Sequence, residues 1–268
     1  DNYIFRVIQF ARQGYTHMDF DDYNTDWNSE AYGTVSGQNS NNTVRVTNDF
    51  MDKVREDKDF DLNGRNNNGV FKTVKAKELW EQICQAAWNS ADPGLQFDSS
   101  INEWHTCPQD GRINASNPCS EYMFLDDTAC NLASLNLVKF YNTETNEFDL
   151  KSYQHGIRIW TVILEISVLM AQFPSKPIAQ RSYDYRTLGL GYANIGALLM
   201  RMGHAYGDKQ ALAINGSLTA ILTGESYATS AEMAKEQGPF PRFYRNREDM
   251  LRVVRNHRRA ALHSAETE

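Results

Sequence analysis

The segment KSYQHGIRIWTVILEISVLMAQF, residues 151–173, constrains the fold more than any other part of the chain. Its apolar residues recur nearly all round a helix, which predicts a helix that other elements cover on most sides. Pro174 follows directly and ends the helix. Since 41% of the 268 residues are hydrophobic, the chain can form a core that buries such a helix.

The remaining segments mix strand and helix patterns. The β-branched TVRV at 43–46 predicts a strand, and Asn48 or Asp49 is suited to cap the helix after it. Residues 59–76 have the pattern of a hairpin with Asn68-Gly69 as its turn. Further helices are predicted over 4–13, 77–91, 207–238 and 246–262, with another inside 185–203. This order predicts a mixed α/β domain.

Composition argues against several classes of function. The formal net charge of −7 and the lack of a long basic run disfavour a nucleic-acid groove. The richest apolar run, WTVILEISVLM at 160–170, is too short to span a membrane and contains Glu165. No signal-peptide pattern opens the sequence, so we expect a cytoplasmic protein. Its four cysteines should then be reduced, and Cys84, at helical spacing from apolar neighbours, is predicted to be a small buried side chain.

The pentapeptide NPCSE at 117–121 is chemically unusual. Pro118 excludes a helix interior and favours an extended segment. Residues two apart in an extended segment point to the same side, so Asn117, Cys119 and Glu121 are expected to project together. The pentapeptide lies in 95–137, a long stretch with few helix signals, and such loops tend to be functional. We therefore expect the functional site in this stretch.

Ordinary thiol chemistry fits these residues poorly. His105 is a candidate base for a nucleophilic Cys119, but the carboxylate of Glu121 opposes formation of a thiolate nearby. A zinc site could use His105, Cys107, Cys119 and Cys130, since thiolate and imidazole suit zinc. Their spacing lacks the paired C-x-x-C knuckles of common structural sites, and we expect no metal site.

One-electron chemistry meets no such objection. A neutral thiol at Cys119 can lose a hydrogen atom, and the resulting sulfur radical can take hydrogen from carbon. Glu121 can act as general base on an adjacent hydroxyl that the amide of Asn117 holds by hydrogen bonds. Cys130 can supply reducing equivalents as half of a dithiol.

The glycines of LGLGYANIG, residues 188–196, superficially suggest a dinucleotide-binding loop. Their spacing does not match G-x-G-x-x-G, and no strand signal precedes them. We interpret Gly189 and Gly191 as positions of close helix packing.

The stretch RINASNPCSEYMFLDDTACNLASLNL at 112–137 resembles the finger loop of ribonucleotide reductases. Its N-x-C-x-E core, separated by ten residues from the cysteine of ACNLASLNL, is a specific signature. Similarity to the cobalamin-dependent class II form extends over nearly the whole chain, including SGQNSNNTVRV at 36–46 and RTLGLGYANIGALLMRMG at 186–203. The resemblance implies an α/β fold that is part of a ten-stranded barrel, whose central finger loop carries the radical cysteine.

The resemblance also implies a role for each site residue. Cys119 matches the thiyl radical that takes the ribose 3′ hydrogen, and Glu121 matches the base for the 3′ hydroxyl. Asn117 matches the amide that binds the ribose hydroxyls, and Cys130 matches one member of the redox pair. The implied cofactor is adenosylcobalamin, with a ribonucleotide as substrate and thioredoxin or a small thiol as reductant. A homodimer of the complete protein is expected.

Residues 1–268 are expected to be the central part of the catalytic barrel domain. In the family, the other redox cysteine and the specificity loops come earlier, and the phosphate-binding loop comes later. We therefore expect the isolated chain to be inactive. Two alternatives stay open: an iron-dependent class I large subunit, which shares the N-x-C-x-E core, and a catalytically incompetent piece that only folds and binds.

Overall fold

The computed structural model describes residues 40–64 and 69–266, and these divide into two compact units. The first unit holds residues 40–64, 69–105 and 113–123, and the second holds 106–112 and 124–266. Helices alternate with strands in both, so the predicted α/β class is confirmed. The helix predicted at 4–13 and the turn residue Asn68 lie outside the described residues.

The first unit is built on a parallel pair of strands. β1 (Thr43–Val46) lies beside β4 (Gly94–Phe97). The sequence predicted the strand β1 but not the strand β4. The predicted hairpin is confirmed as β2 (Asp59–Asn63) and β3 (Val70–Lys75), which pair antiparallel. The helices of this unit are α1 (Asn48–Arg55), α2 (Ala76–Ser90) and α3 (Asp98–Glu103).

Successive side chains of β1 point to opposite faces, so alternate residues face the core. Val44 and Val46 are buried in a cluster with Phe50 of α1 and one face of α2, while Arg45 points to the opposite face. The predicted cap of α1 is wrong by one residue, because it is the Thr47 hydroxyl that accepts a hydrogen bond from the Phe50 amide.

The prediction that Cys84 is buried is also wrong. The inner face of α2 consists of Ala76, Leu79, Ile83 and Ala86, and Cys84 follows Ile83 onto the exposed face. A position next to a buried one is turned by about 100° around an α-helix.

The second unit also contains a parallel pair of strands. β5 (Asn131–Asn136) lies beside β8 (Leu188–Ala193), and β6 (Tyr141–Asn142) pairs antiparallel with β7 (Glu147–Phe148). The glycines assigned to helix packing therefore lie in a strand, so that assignment is wrong. The helices are α4 (Leu150–Met170), α5 (Lys176–Tyr185), α6 (Ile195–Met202), α7 (Lys209–Gln237) and α8 (Phe243–Glu266).

Helix α4 is buried along one stripe only, in contrast to the prediction. It packs against α7, β5 and β8 through side chains three or four residues apart: Tyr153, Ile157, Thr161, Leu164 and Val168. Apolar side chains elsewhere on the helix are exposed, and Leu169 and Met170 near its end are 66% and 77% exposed. Apolar periodicity predicted the helix correctly. Which of its side chains are buried depends on neighbouring elements, and the helix sequence alone does not specify them.

No helix among residues 40–64 and 69–266 has the length and apolar character needed to cross a membrane.

Candidate active site

The NPCSE segment forms a tight turn rather than the extended loop segment that the sequence predicted. Ser116 and Met123 form an antiparallel bridge that brings the ends of the loop together. Inside it, the Ser120 amide donates to the Asn117 carbonyl at 3.1 Å, which closes a four-residue turn. Ser120 has φ of 64°, in the left-handed region, so the chain reverses immediately after Cys119.

A buried glutamine stabilises this turn by hydrogen bonds. Gln96 of β4 is 4% exposed, and its Nε2 donates to Ser116 Oγ at 2.6 Å and to Ser120 Oγ at 2.9 Å. The two serines flank the Asn117-Pro118-Cys119 segment, so one side chain fixes both ends of the turn. A buried amide with its hydrogen bonds made is a rigid anchor, because breaking them would leave polar groups unsatisfied.

Arg45 of β1 extends the anchor to a third element. Its Nη1 donates to Gln96 Oε1 at 2.7 Å, and its Nη2 donates to Asp98 Oδ1 at 2.8 Å. Nη2 also donates to the Ile113 carbonyl at 3.0 Å. Ile113 lies four residues before the turn. Asn102 of α3 adds a pair of bonds to the same residue, since its Oδ1 accepts from the Ile113 amide and its Nδ2 donates to the Ile113 carbonyl.

The turn presents its three predicted site residues differently. Cys119 and Glu121 are exposed, and Asn117 is half-buried. Asn117 Oδ1 accepts a hydrogen bond from the Tyr122 amide at 2.9 Å, so this side chain also stabilises the turn. Among the described residues, none accepts a hydrogen bond from Asn117 Nδ2, which leaves a donor for a bound hydroxyl. The structure thus places all three residues on one anchored loop.

Cys130 belongs to the second unit and is half-buried. It directly precedes β5, and its thiol lies 3.5 Å from the carbonyl oxygen of Asn131. The chain is fixed on both sides, because Thr187 Oγ1 donates to the Ala129 carbonyl at 2.8 Å and Asn131 Nδ2 donates to the Leu164 carbonyl at 2.9 Å. The thiol is therefore held at the start of the parallel β5–β8 pair.

Cys107 differs from these two thiols. It is 1% exposed and packs with Leu125 and Tyr185. Burial raises the pKa of the Cys107 thiol to about 11, with smaller contributions from its surroundings. A buried neutral thiol is a structural side chain rather than a redox group. Within the described residues, no three His, Cys, Asp or Glu side chains are grouped so that they could hold a metal ion.

The sequence did not predict the anchoring residues Arg45, Gln96, Ser116 and Ser120. Arg45 and Gln96 lie in strands that pair across about fifty residues, and neither has a local signature. The turn itself had a local sequence signature, because asparagine followed by proline favours the first two positions of a β-turn.

An exposed thiol on an anchored turn, flanked by an amide and a carboxylate, defines a candidate thiol site on an α/β scaffold. Residues 14–267 match the family model "Ribonucleotide reductase, barrel domain", and the chain belongs to this family.

Curated relatives agree with this assignment. The chain is 62% identical over 261 residues to a "Vitamin B12-dependent ribonucleotide reductase" of Agrobacterium fabrum, covering 97% of the chain and 20% of that protein. A protein of the same name from Bradyrhizobium diazoefficiens is 63% identical, with 97% of the chain and 21% of that protein covered. A "Vitamin B12-dependent ribonucleoside-diphosphate reductase" of Thermoplasma acidophilum is 32% identical over 77% of the chain and 27% of that protein. The chain spans about a fifth of the length of the first two relatives.

Proposed function

We propose that residues 1–268 form the central part of the catalytic barrel domain of an adenosylcobalamin-dependent ribonucleotide reductase. The enzyme reduces ribonucleotides to deoxyribonucleotides for DNA synthesis by a radical mechanism. Family membership and the names of the relatives support this reaction. The observation that carries the proposal is the turn at 117–120, which Gln96 anchors at both ends while Cys119 stays exposed at its tip.

Cys119 is proposed as the residue that becomes the thiyl radical and takes the 3′ hydrogen of the ribose. Adenosylcobalamin, when bound, supplies the one-electron oxidation that removes the thiol hydrogen atom. An exposed thiol fits this role, because the hydrogen atom can be removed only where the oxidant can make contact. The anchored backbone then keeps the sulfur at a fixed place relative to the substrate, which favours a productive geometry.

Glu121 and Asn117 are proposed to act on the ribose hydroxyls. The exposed carboxylate of Glu121 accepts the 3′ hydroxyl proton as general base. Asn117 uses Oδ1 within the turn and Nδ2 for the substrate, so one side chain both shapes the loop and orients the sugar.

Cys130 is proposed as one thiol of the pair that reduces the 2′ position. The 2′ hydroxyl leaves as water, and the two thiols are oxidised to a disulfide, so two electrons and two hydrogens pass to the products. A thioredoxin-type protein or a small thiol then reduces the disulfide. The second thiol of the pair belongs to the complete enzyme rather than to the described residues.

The two parallel strand pairs are proposed to be parts of a closed ten-stranded barrel with the finger loop at its centre. Each pair, as described, ends in strand edges, and α4 carries exposed apolar side chains that further elements of a barrel would cover. We further propose a cytoplasmic enzyme that acts as a homodimer. The names of the relatives favour cobalamin over the iron of the class I alternative.

The substitution Cys119→Ser in the complete reductase tests the function. Turnover and 3′ hydrogen exchange should both be lost, because an oxygen radical is not accessible to the cofactor, while folding should persist after a nearly isosteric change. Cys84→Ser is the matched control, since Cys84 is also exposed but lies on α2, and its activity should equal that of the parent. Deoxynucleotide formation by Cys119→Ser above the level of a no-enzyme blank would contradict the assignment.

A further inference from the structure

Gly189 of β8 lies unusually close to the Cys130 thiol. In the parallel register, Gly189 is opposite Leu132, two residues after Cys130. A Cβ atom added to Gly189 would lie 2.7 Å from Cys130 Sγ, 2.5 Å from Leu132 Cδ2 and 3.0 Å from the Asn131 carbonyl oxygen. Contacts below 3.0 Å force a neighbour to move, so any side chain at 189 would compete with the thiol for space.

The backbone does not explain this glycine. Gly189 lies in a regular strand and does not adopt the left-handed conformation that favours glycine. Gly191, two residues further on the same face of β8, provides the comparison, because a Cβ there would meet only Ser134 Oγ at an ordinary 3.9 Å. Space rather than conformation therefore distinguishes Gly189.

We propose that Gly189 is a positioning residue for the Cys130 thiol. It leaves beside β5 the volume that the sulfur occupies, so that the thiol points where its redox partner and its reductant can reach it. The inference rests on the redox role proposed for Cys130, and it deepens that role by naming what fixes the sulfur.

Position matters for this thiol because disulfide geometry is strict. A disulfide requires a sulfur separation of about 2 Å and Cβ atoms about 4 Å apart. Exchange with a reductant also depends on access to the sulfur. Leu132 is 70% exposed and can move away from a new methyl group at low cost, whereas the Asn131 carbonyl belongs to the β5 ladder. The remaining response to the new methyl is rotation of the Cys130 side chain away from its present position.

The functional test compares Gly189→Ala with Gly191→Ala in the complete reductase. Gly189→Ala should lower multiple-turnover deoxynucleotide formation at least tenfold, while 3′ hydrogen exchange, which depends on Cys119, changes less than about twofold. The alkylation rate of Cys130 should change at least threefold when it is measured by mass spectrometry with Cys119 as internal reference. Gly191→Ala should leave all three quantities at the parental level. Equal behaviour of the two alanine variants would overturn the proposal.

A double-variant cycle keeps the test decisive if Gly189→Ala folds poorly. The midpoint of thermal unfolding of the complete reductase is measured for the parent, Gly189→Ala, Cys130→Ala and the combination. Because overpacking is destabilising, Gly189→Ala should lower the midpoint by about 3 °C or more when Cys130 is present, and clearly less when residue 130 is alanine. Purely additive shifts would show that the methyl and the sulfur do not compete, which refutes the inference.

A third variant separates the thiol from its neighbour. Leu132→Ala removes the 2.5 Å contact without touching the thiol. Added to Gly189→Ala, it should restore little of the lost reduction; full restoration would assign the effect to Leu132 and overturn the role proposed for Gly189. Failure of the redox role proposed for Cys130 would have a different signature, namely normal steady-state activity of Cys130→Ser with dithiothreitol, and the alkylation and unfolding results do not depend on it.

Discussion

Replacing Gln96 by methionine should loosen the turn that carries Cys119 while leaving the rest of the fold in place. Methionine keeps the length of the side chain and removes both its donor and its acceptor. The change breaks three hydrogen bonds: two from Nε2 to Ser116 and Ser120, and one from Arg45 to Oε1. All three involve a side chain that is 4% exposed, so water replaces them poorly.

The structure sets the expected magnitude. Two neutral hydrogen bonds contribute about 1 kcal/mol each and the bond from the charged guanidinium about 2 kcal/mol, which gives an upper value of about 4 kcal/mol. Part of this is recovered, because Arg45 keeps its bonds to Asp98 and Ile113 and Ser116 Oγ keeps its bond to the Asn117 carbonyl. We therefore expect the free energy of unfolding to fall by about 2–3 kcal/mol.

Two measurements on the same variant check this expectation. Urea unfolding gives the change in free energy. Hydrogen exchange at the Ser120 and Tyr122 amides, which bond to Asn117, reports on the turn itself and should accelerate at least tenfold. The control is Gln85→Met, which removes one exposed bond to Asn89 and should cost less than about 0.5 kcal/mol. Unchanged protection of both amides in Gln96→Met would refute the anchoring role of Gln96.

Three further predictions concern individual side chains. In the complete reductase, Glu121→Gln should lower kcat by about a hundred- to ten-thousand-fold with little change in KM, and a rate within threefold of the parent would make Glu121 a structural acceptor. Cys130→Ser should retain nucleotide-dependent hydrogen exchange but make no deoxynucleotide over many turnovers, and normal steady-state activity with dithiothreitol would exclude a redox role. Burial raises the pKa of the Cys107 thiol from 9.0 to about 11, so the stability that this thiol contributes is present below pH 9 and is lost as the pH rises through 11. In urea unfolding, the advantage of the parent over Cys107→Ala should accordingly shrink by about 1 kcal/mol between pH 8 and pH 10, and an advantage independent of pH would contradict the buried neutral thiol.

The long helices and the β2–β3 hairpin could be predicted because their signals are local. Helix α4 is observed at Leu150–Met170 and was predicted over 151–173, since apolar periodicity and Pro174 both lie within the segment. Its cover could not be predicted, because neighbours distant in sequence decide which stripe is buried. The strands β4 and β5 were missed for a related reason: each is short and pairs in parallel with a strand more than fifty residues away.

In the candidate site, too, the residue types could be predicted from the sequence, but their arrangement in space could not. The types in NPCSE point to their chemistry without any structure, and the resemblance of 112–137 names the roles. The arrangement of the loop depended on turn chemistry instead: Asn117 and Pro118 start a turn, and the left-handed Ser120 ends it. An extended segment would have aligned three side chains by alternation alone, whereas the observed turn needs Gln96 to hold its ends.

Gly189 illustrates why placement is the harder part. The sequence assigned this glycine to helix packing, because LGLGYA has no β-branched residue and little alternation, and the structure places it in a strand. Its neighbour Cys130 lies fifty-nine residues earlier in the sequence, and the two meet only because β5 and β8 align Leu132 with Gly189. A shift of that register by one residue would place Leu188 or Leu190 opposite Leu132 and bring a bulky side chain close to the Cys130 sulfur. The space around this thiol is therefore set by strand register, so a substitution that slips the β5–β8 pair should impair Cys130 even where every residue of the N-x-C-x-E signature is intact.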